Sequence, residues 1–209
     1  HPGGWGTILI GGFRMGGSCG QCAAGTGAPP MTVNIGGTDR TFYSAYFVLD
    51  ITNPEATPKV LMSFSDAGLG LTTGSPAIAR VSPSADVSTD ATNAKWYLIV
   101  GSGPNGYAAD LSVGNQTAKL YAIDLKTGPG ANNSLVTTMT VGSWRSFMSD
   151  VVATDRDLDY RVDMAYAGRS IHDGALPWRG KLYRLSTKGC AAAPCSPNTW
   201  GVASGGGRA

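Results

Sequence analysis

Apolar and polar positions alternate with a period of two in short runs along most of the chain. The runs cover residues 7–10, 43–51, 60–64, 77–81, 96–100, 119–125, 135–141, 150–153, 162–167, 181–185 and 200–202. Successive side chains of an extended strand point to opposite faces, so each run predicts a β-strand with at least one buried face. Clusters of Gly, Pro, Asn, Asp and Ser separate the runs and supply turns. No stretch carries a sustained 3.6-residue period, so no long helix is predicted. The expectation is an all-β chain of antiparallel sheets.

Stacking the runs reveals an internal repeat. Residues 45–52 (AYFVLDIT) resemble residues 119–126 (KLYAIDLK), and residues 180–187 (GKLYRLST) form a weaker third copy. Each copy follows an apolar run that ends in glycine, at residues 8–12, 98–103 and 165–168, and each is followed by another apolar run. Further strands start after Ser75-Pro76 and Ser149-Asp150. The repeat predicts about three four-stranded antiparallel blades of a partial β-propeller, over residues 5–66, 75–142 and 149–203, with the first blade lacking its inner strand. Closed propellers have roughly four to eight blades. Residues 1–209 are therefore expected to be a single partial propeller region, completed by remaining blades or by the N-terminal region of a parent protein. The start at His1, with no initiator Met or signal peptide, reads as a processed product or a cut fragment. A self-contained β-sandwich is the alternative architecture.

Composition narrows the partners. Only 14% of the 209 residues are charged, 30 are glycine, and the net charge is +2 with no basic run. A nucleic-acid surface needs clustered Lys and Arg, so no nucleic-acid partner is expected. No apolar stretch approaches the roughly 18 residues of a membrane-spanning helix. The four cysteines form two local pairs, Cys19/Cys22 and Cys190/Cys195. An even count in a polar, low-charge chain fits an oxidising compartment and the disulfides Cys19–Cys22 and Cys190–Cys195. Zinc ligation and free thiols remain open, whereas covalent haem attachment is excluded because Ala23 follows Cys22.

One segment carries specific chemistry. In residues 155–163 (DRDLDYRVD), Asp155, Asp157, Asp159 and Asp163 occupy positions 1, 3, 5 and 9 of a calcium-type loop, and Arg161 at position 7 offers its backbone carbonyl. Calcium takes six to eight oxygens, and a cation offsets the repulsion among so many close carboxylates. Tyr160 stands where glycine normally turns such a loop, and Tyr166 stands at position 12 in place of glutamate. A strand follows rather than a helix, so a strand-borne loop is expected, not an EF-hand. The competing reading is a solvated acidic turn neutralised by Arg156 and Arg161.

Other candidates are weaker. Asp50 and Asp124 could form a catalytic pair, but their equivalent repeat positions favour a turn role. His1 and His172 do not make a nucleophile triad, and residues 101–106 lack the Lys and helix of a phosphate loop. Trp96, Trp144 and Trp178 could stack on sugars, although aromatics at blade positions are expected in the core. No catalytic residue is assigned, and an enzyme is not expected.

Residues 46–54 (YFVLDITNP), 69–80 (LGLTTGSPAIAR), 96–103 (WYLIVGSG) and 118–125 (AKLYAIDL), then the aspartate loop and Tyr166-Ala167-Gly168, recur in an order that resembles the C-terminal propeller of PilY/PilC-type type IV pilus proteins. The resemblance runs from about residue 5 to residue 186. It implies a modified propeller at a pilus tip with minor pilins as partners, outside the bacterial cell, acting in pilus biogenesis and surface adhesion. It also implies Ca2+ as cofactor, held by Asp155, Asp157, Asp159 and Asp163. Where that family usually reads Tyr-Ala-Gly-Asp, Arg169 stands here, and residues 171–177 lengthen the turn. The LYAIDLKTG segment also resembles quinoprotein-dehydrogenase propellers, and exposed Trp would suit a glycan-binding module; these are the alternative functions.

Overall fold

The computed structural model describes residues 4, 6–17, 31–82, 94–105, 116–141, 145–171, 178–187 and 200–206. Its first strands are β1 (Ile8–Gly12), β2 (Met31–Ile35), β3 (Thr38–Phe42), β4 (Tyr46–Asp50) and β5 (Lys59–Phe64). Then come β6 (Ala77–Val81), β7 (Lys95–Gly101), β8 (Lys119–Asp124) and β9 (Thr137–Thr140). The last are β10 (Ser146–Thr154), β11 (Met164–Ile171), β12 (Arg179–Ser186) and β13 (Gly201–Gly206). A three-residue 3-10 turn, Ala131–Asn133, precedes β9. Among the described residues, no helix is long and apolar enough to cross a membrane.

The strands form four antiparallel sheets: β1-β4-β5, β6-β7-β8-β9, β10-β11-β12-β13 and the hairpin β2-β3. The repeat expected from the sequence is the repeat of the fold. The strands β1, β7 and β11 pair with the aromatic strands β4, β8 and β12, respectively; β1 and β7 end in glycine as expected, whereas β11 runs on past Gly168 to Ile171. Blades two and three begin with the inner strands β6 and β10, whereas among the described residues the first sheet begins at β1. Among the described residues, the sheets are blades of an open propeller and do not close into a ring.

The stacking follows from how the middle blade distributes its side chains. Tyr97 and Ile99 of β7, with Leu120 and Ala122 of β8, pack into one core with Met148, Val151, Ala165, Ala167 and Leu185 of blade three. The intervening residues Leu98, Val100, Tyr121 and Ile123 pack into a second core with Tyr46, Val48 and Phe64 of blade one. A strand buried on both faces reads as a continuous apolar run, which is what residues 97–100 and 120–123 show. Two adjacent cores, each shared by neighbouring blades, make the radial repetition of a propeller.

Glycine at the end of β7 has a physical reason other than the tight turn expected from the sequence. The backbone of Gly101 is not left-handed, but a Cβ there would lie 2.4 Å from Met148 Cβ. Blade three's inner strand approaches blade two too closely for any side chain at that position.

The β2–β3 hairpin was not among the expected strands. It closes through Gly36 and Gly37, both with positive φ (61° and 84°), in a two-residue connection between Ile35 and Thr38. Positive φ at both central residues is the type I′ hairpin geometry, for which Gly-Gly is well suited. Every residue of β3 is exposed, and Asn34 Nδ2 donates to Asp39 Oδ1 across the strands at 2.7 Å. Residues 31–35 (MTVNI) do alternate with a period of two, but the paired residues 38–42 (TDRTF) are mostly polar, so the two do not stand out as a hairpin with a buried face. The alternation of residues 31–35 and the Gly-Gly step after them were the available signals.

Candidate metal centre

The aspartate loop links β10 to β11, and its ends are tied before its carboxylates are considered. Asp163 N donates to Thr154 O at 3.0 Å, and Thr187 N, just past β12, donates to Asp163 O at 2.9 Å. Arg80 of β6 reaches across from blade two. Its Nη1 donates to Tyr160 O at 2.8 Å, and its carbonyl accepts from Val162 N at 2.8 Å. The loop therefore sits at the junction of blades two and three and is bonded to both.

Inside the loop the carboxylates hold the backbone. Asp155 accepts from Asp159 N (3.2 Å) and Tyr160 N (2.7 Å) through its two oxygens. Asp159 Oδ1 accepts from Arg161 N at 2.9 Å, and Asp159 Oδ2 is ion-paired with Arg161 Nη2. The hydrogen bond from the Arg161 side chain holds the Asp159 carboxyl below the usual carboxylate range. Leu158 and Tyr160 both take left-handed backbone conformations, with φ of 58° and 64°. Tyr160 thus makes the bend that glycine makes in such loops, and its side chain is 80% exposed, so the bend imposes no packing demand on the ring.

Folding brings three of the expected residues together. One carboxylate oxygen from each of Asp155, Asp157 and Asp159 lies within 4.8 Å of the others. Oxygens sharing one calcium ion at 2.3–2.6 Å can be separated by at most about 5 Å, so the spacing fits a common hard cation. Asp155 and Asp159 are half-buried and Asp157 is exposed, which leaves an open side for water ligands. Asp163 is differently placed. It is buried, and its Oδ2 accepts from Arg156 N at 2.9 Å, which ties the two ends of the loop together. Arg161 meets Asp159 through its amide and guanidinium; a cation taking Asp159 Oδ2 would displace that guanidinium. Asp150 lies outside the loop and accepts from Ser75 N at 2.7 Å, joining blade three to the start of blade two's inner strand.

The remaining sequence candidates fall elsewhere. Asp50 Oδ1 accepts from Thr52 N at 2.9 Å, and Asp124 Oδ1 accepts from Lys126 N at 2.8 Å. Both close the same two-residue-ahead turn at the end of the aromatic strand. The Thr52 hydroxyl first, and then its backbone amide, hold the Asp50 carboxyl below its usual range. Trp96 and Trp178 are 51% and 47% exposed, so neither is a core residue as expected. Trp96 stands at the start of β7 beyond the doubly buried stretch, and Trp178 precedes β12 with its ring edge-on to Phe147 at 6.0 Å. Cys19, Cys22, Cys190, Cys195, His1, His172 and Trp144 lie outside the described residues.

Fold and loop together define the class: an open set of propeller blades with an acidic loop bridging two of them. Among solved structures, the chain is similar to the crystal structure of the Pseudomonas aeruginosa PilY1 C-terminal domain. The match has a TM-score of 0.47 and 23% sequence identity, and covers 81% of this chain and 32% of that one. The chain therefore spans about a third of that chain's length. No protein-family model matches the chain, and no curated protein matches it.

Proposed function

We propose that the chain is the calcium-binding portion of a β-propeller in a type IV pilus tip-associated protein, acting outside the cell in pilus biogenesis and surface adhesion. The observation that carries the reading is the convergence of Asp155, Asp157 and Asp159 on one point. Carboxylates 4–5 Å apart repel by about 1 kcal/mol in water and by several times that at lower effective dielectric. A divalent cation reverses that sign. Because the loop is bonded to Arg80 of blade two as well as to its own blade, the ion would also fasten the two blades together. The pilus assignment rests on the ordered set of blade strings in the sequence, with minor pilins and the rest of the parent propeller as partners.

The role is binding rather than catalysis. Asp50 and Asp124, the carboxylates that could have formed a catalytic pair, are engaged in turn closure. Calcium would bring no reaction step; it supplies charge neutralisation and order to the loop.

Thermal melting with and without a chelator tests the calcium reading. An ion present at 100 times its dissociation constant stabilises by about 2.7 kcal/mol, which for a chain of this size is a rise in Tm of roughly 5–10 °C. Chelation is expected to remove that rise, and Asp157→Ala is expected to make the two curves coincide. Identical curves for the unmodified chain would count against a metal site.

A further inference from the structure

The far end of the junction between blades two and three carries charge of the opposite sign to the acidic loop. Arg169 of β11 and Lys181 of β12 are register partners, and Arg179 stands on the same face opposite Ile171. Side chains directly opposite on an antiparallel pair share a face, with Cβ atoms about 4.5–5.5 Å apart, and like charges placed so are destabilising. The face is the one that Ala165, Ala167, Tyr183 and Leu185 turn toward blade two.

Arg169 is only 6% exposed. Its guanidinium lies 5.6 Å from the Tyr183 ring centroid, and Nη1 donates to Val141 O, past the end of β9, at 3.2 Å. Its Nε is enclosed and has no hydrogen-bond partner. A carbonyl and a ring face supply partial negative charge but no counter-ion. Among the described residues, no carboxylate pairs with Arg169 or Lys181. The aspartate loop cannot serve, because it lies before Met164 at the other end of β11. That is about 17 Å from Arg169 at 3.4 Å per residue, beyond the Debye length of about 8–10 Å. Burying an ion without a partner is costly, and a second cation opposite it adds to the cost.

We propose that Arg169 and Lys181 form a binding site for a carboxylate, at the end of the blade two–three junction away from the aspartate loop. With Nε enclosed and Nη1 on Val141, the guanidinium keeps Nη2 for an incoming oxygen. Lys181 is exposed, and its ammonium on a flexible stem can meet the other oxygen. The paired oxygens of a carboxylate match these two donors, and one negative charge offsets the repulsion between them. The carboxylate belongs to a free small acid or to an Asp or Glu side chain of a docking peptide; the chemistry at the site is the same.

The inference is independent of the calcium reading. The full chain, labelled with a nitrogen isotope for NMR, is titrated with sodium acetate, sodium phosphate and sodium chloride at equal ionic strength. Enclosure of Nε slows exchange of its proton, and the resonance lost in Arg169→Lys is that of Arg169. Expected is a saturable shift of this resonance with acetate and none with chloride, with binding about threefold weaker in Lys181→Gln, as suits one exposed ion pair. Arg169→Met should lose the acetate-dependent rise in melting temperature, yet melt no lower than the unmodified chain in chloride, because an unpaired buried charge is gone. An acidic peptide that acts at far lower concentration than acetate would assign the carboxylate to a docking chain, and equal potency would assign it to a free acid. The same response to acetate and chloride, a stronger response to phosphate, or unchanged binding in Lys181→Gln would each overturn the proposal. So would an Arg169→Met chain that melts well below the unmodified one in chloride, since Arg169 would then be a structural residue already satisfied.

Discussion

At the scale of single residues, the acidic loop departs from the familiar calcium pattern in identity but not in backbone. Tyr160 adopts φ of 64° without being glycine. A left-handed conformation costs an L-residue roughly 1–2 kcal/mol, part of which glycine would lose again through its freer unfolded chain. Tyr160→Gly is therefore expected to stabilise the chain by up to about 1 kcal/mol, measured by denaturant unfolding. Destabilisation would mean that the phenol ring makes contacts its exposure does not suggest.

The buried tyrosines give a pH expectation with a definite sign. Tyr97, in the core shared by blades two and three, is pushed up to about 12 by burial and by nearby Asp124. Tyr46 and Tyr121 are raised further, again chiefly by burial, and Tyr121 donates its hydroxyl proton to Asp66 Oδ1 at 2.9 Å. A group whose folded pKa is raised stabilises the fold below its unfolded pKa, about 10 for tyrosine, and loses that contribution as pH rises toward the folded value. Stability should hold to about pH 10 and fall above it, with the phenolate absorbance of these residues appearing only as circular dichroism reports unfolding. Complete phenolate titration near pH 10 with the sheets intact would contradict the packing.

At the scale of elements, strand positions were legible because burial on one or both faces leaves a period of two or a solid apolar run. The expected span 77–81 coincides with β6, and 96–100 lies within β7. The repeat was legible for the same reason, since Tyr46, Tyr121 and Tyr183 are all buried from equivalent strands. Two things were not. The β2–β3 hairpin was passed over although β2 (MTVNI) alternates, with apolar Met31, Val33 and Ile35 at every second position; its partner β3 (TDRTF) sets Arg40 and Thr38 opposite Val33 and Ile35. Gly101 looked like a turn residue, because sequence shows a missing side chain but not the neighbour that excludes it. Its Cβ would meet Met148 Cβ, a main-chain-proximal atom with little freedom to move. Overpacking of this kind costs about 1–3 kcal/mol. Gly101→Ala should lower stability by that amount in a denaturant titration, and Met148→Ala in the same chain should not recover the loss, because alanine keeps the Cβ that is in the way.

In the aspartate loop, the spacing of Asp155, Asp157 and Asp159 was enough to place three oxygens together. The roles of Asp163 and Arg80 were not readable in the same way. Asp163 shares the ligand spacing but is drawn to a backbone amide of Arg156. Arg80 lies some 80 positions away in sequence from Tyr160, the residue whose carbonyl it holds. Long-range hydrogen bonds depend on how blades stack, and local spacing carries no record of that.

At the scale of the whole molecule, three blade-like sheets share two cores, and the ring they begin stays open among the described residues. The two junctions are chemically different. The one between blades two and three is spanned by the acidic loop, and the one between blades one and two opens into a groove beneath Trp96. Arg80 touches both, holding Tyr160 O with its guanidinium while packing over Trp96. The propeller is thus organised by what lies between its blades as much as by the blades themselves.

The most direct measurement is a calorimetric titration of the metal-stripped full chain with calcium, beside Asp157→Ala. The account requires saturation at one ion per chain, with no binding isotherm for the variant. A flat titration of the unmodified chain, or equal binding by both, would contradict it.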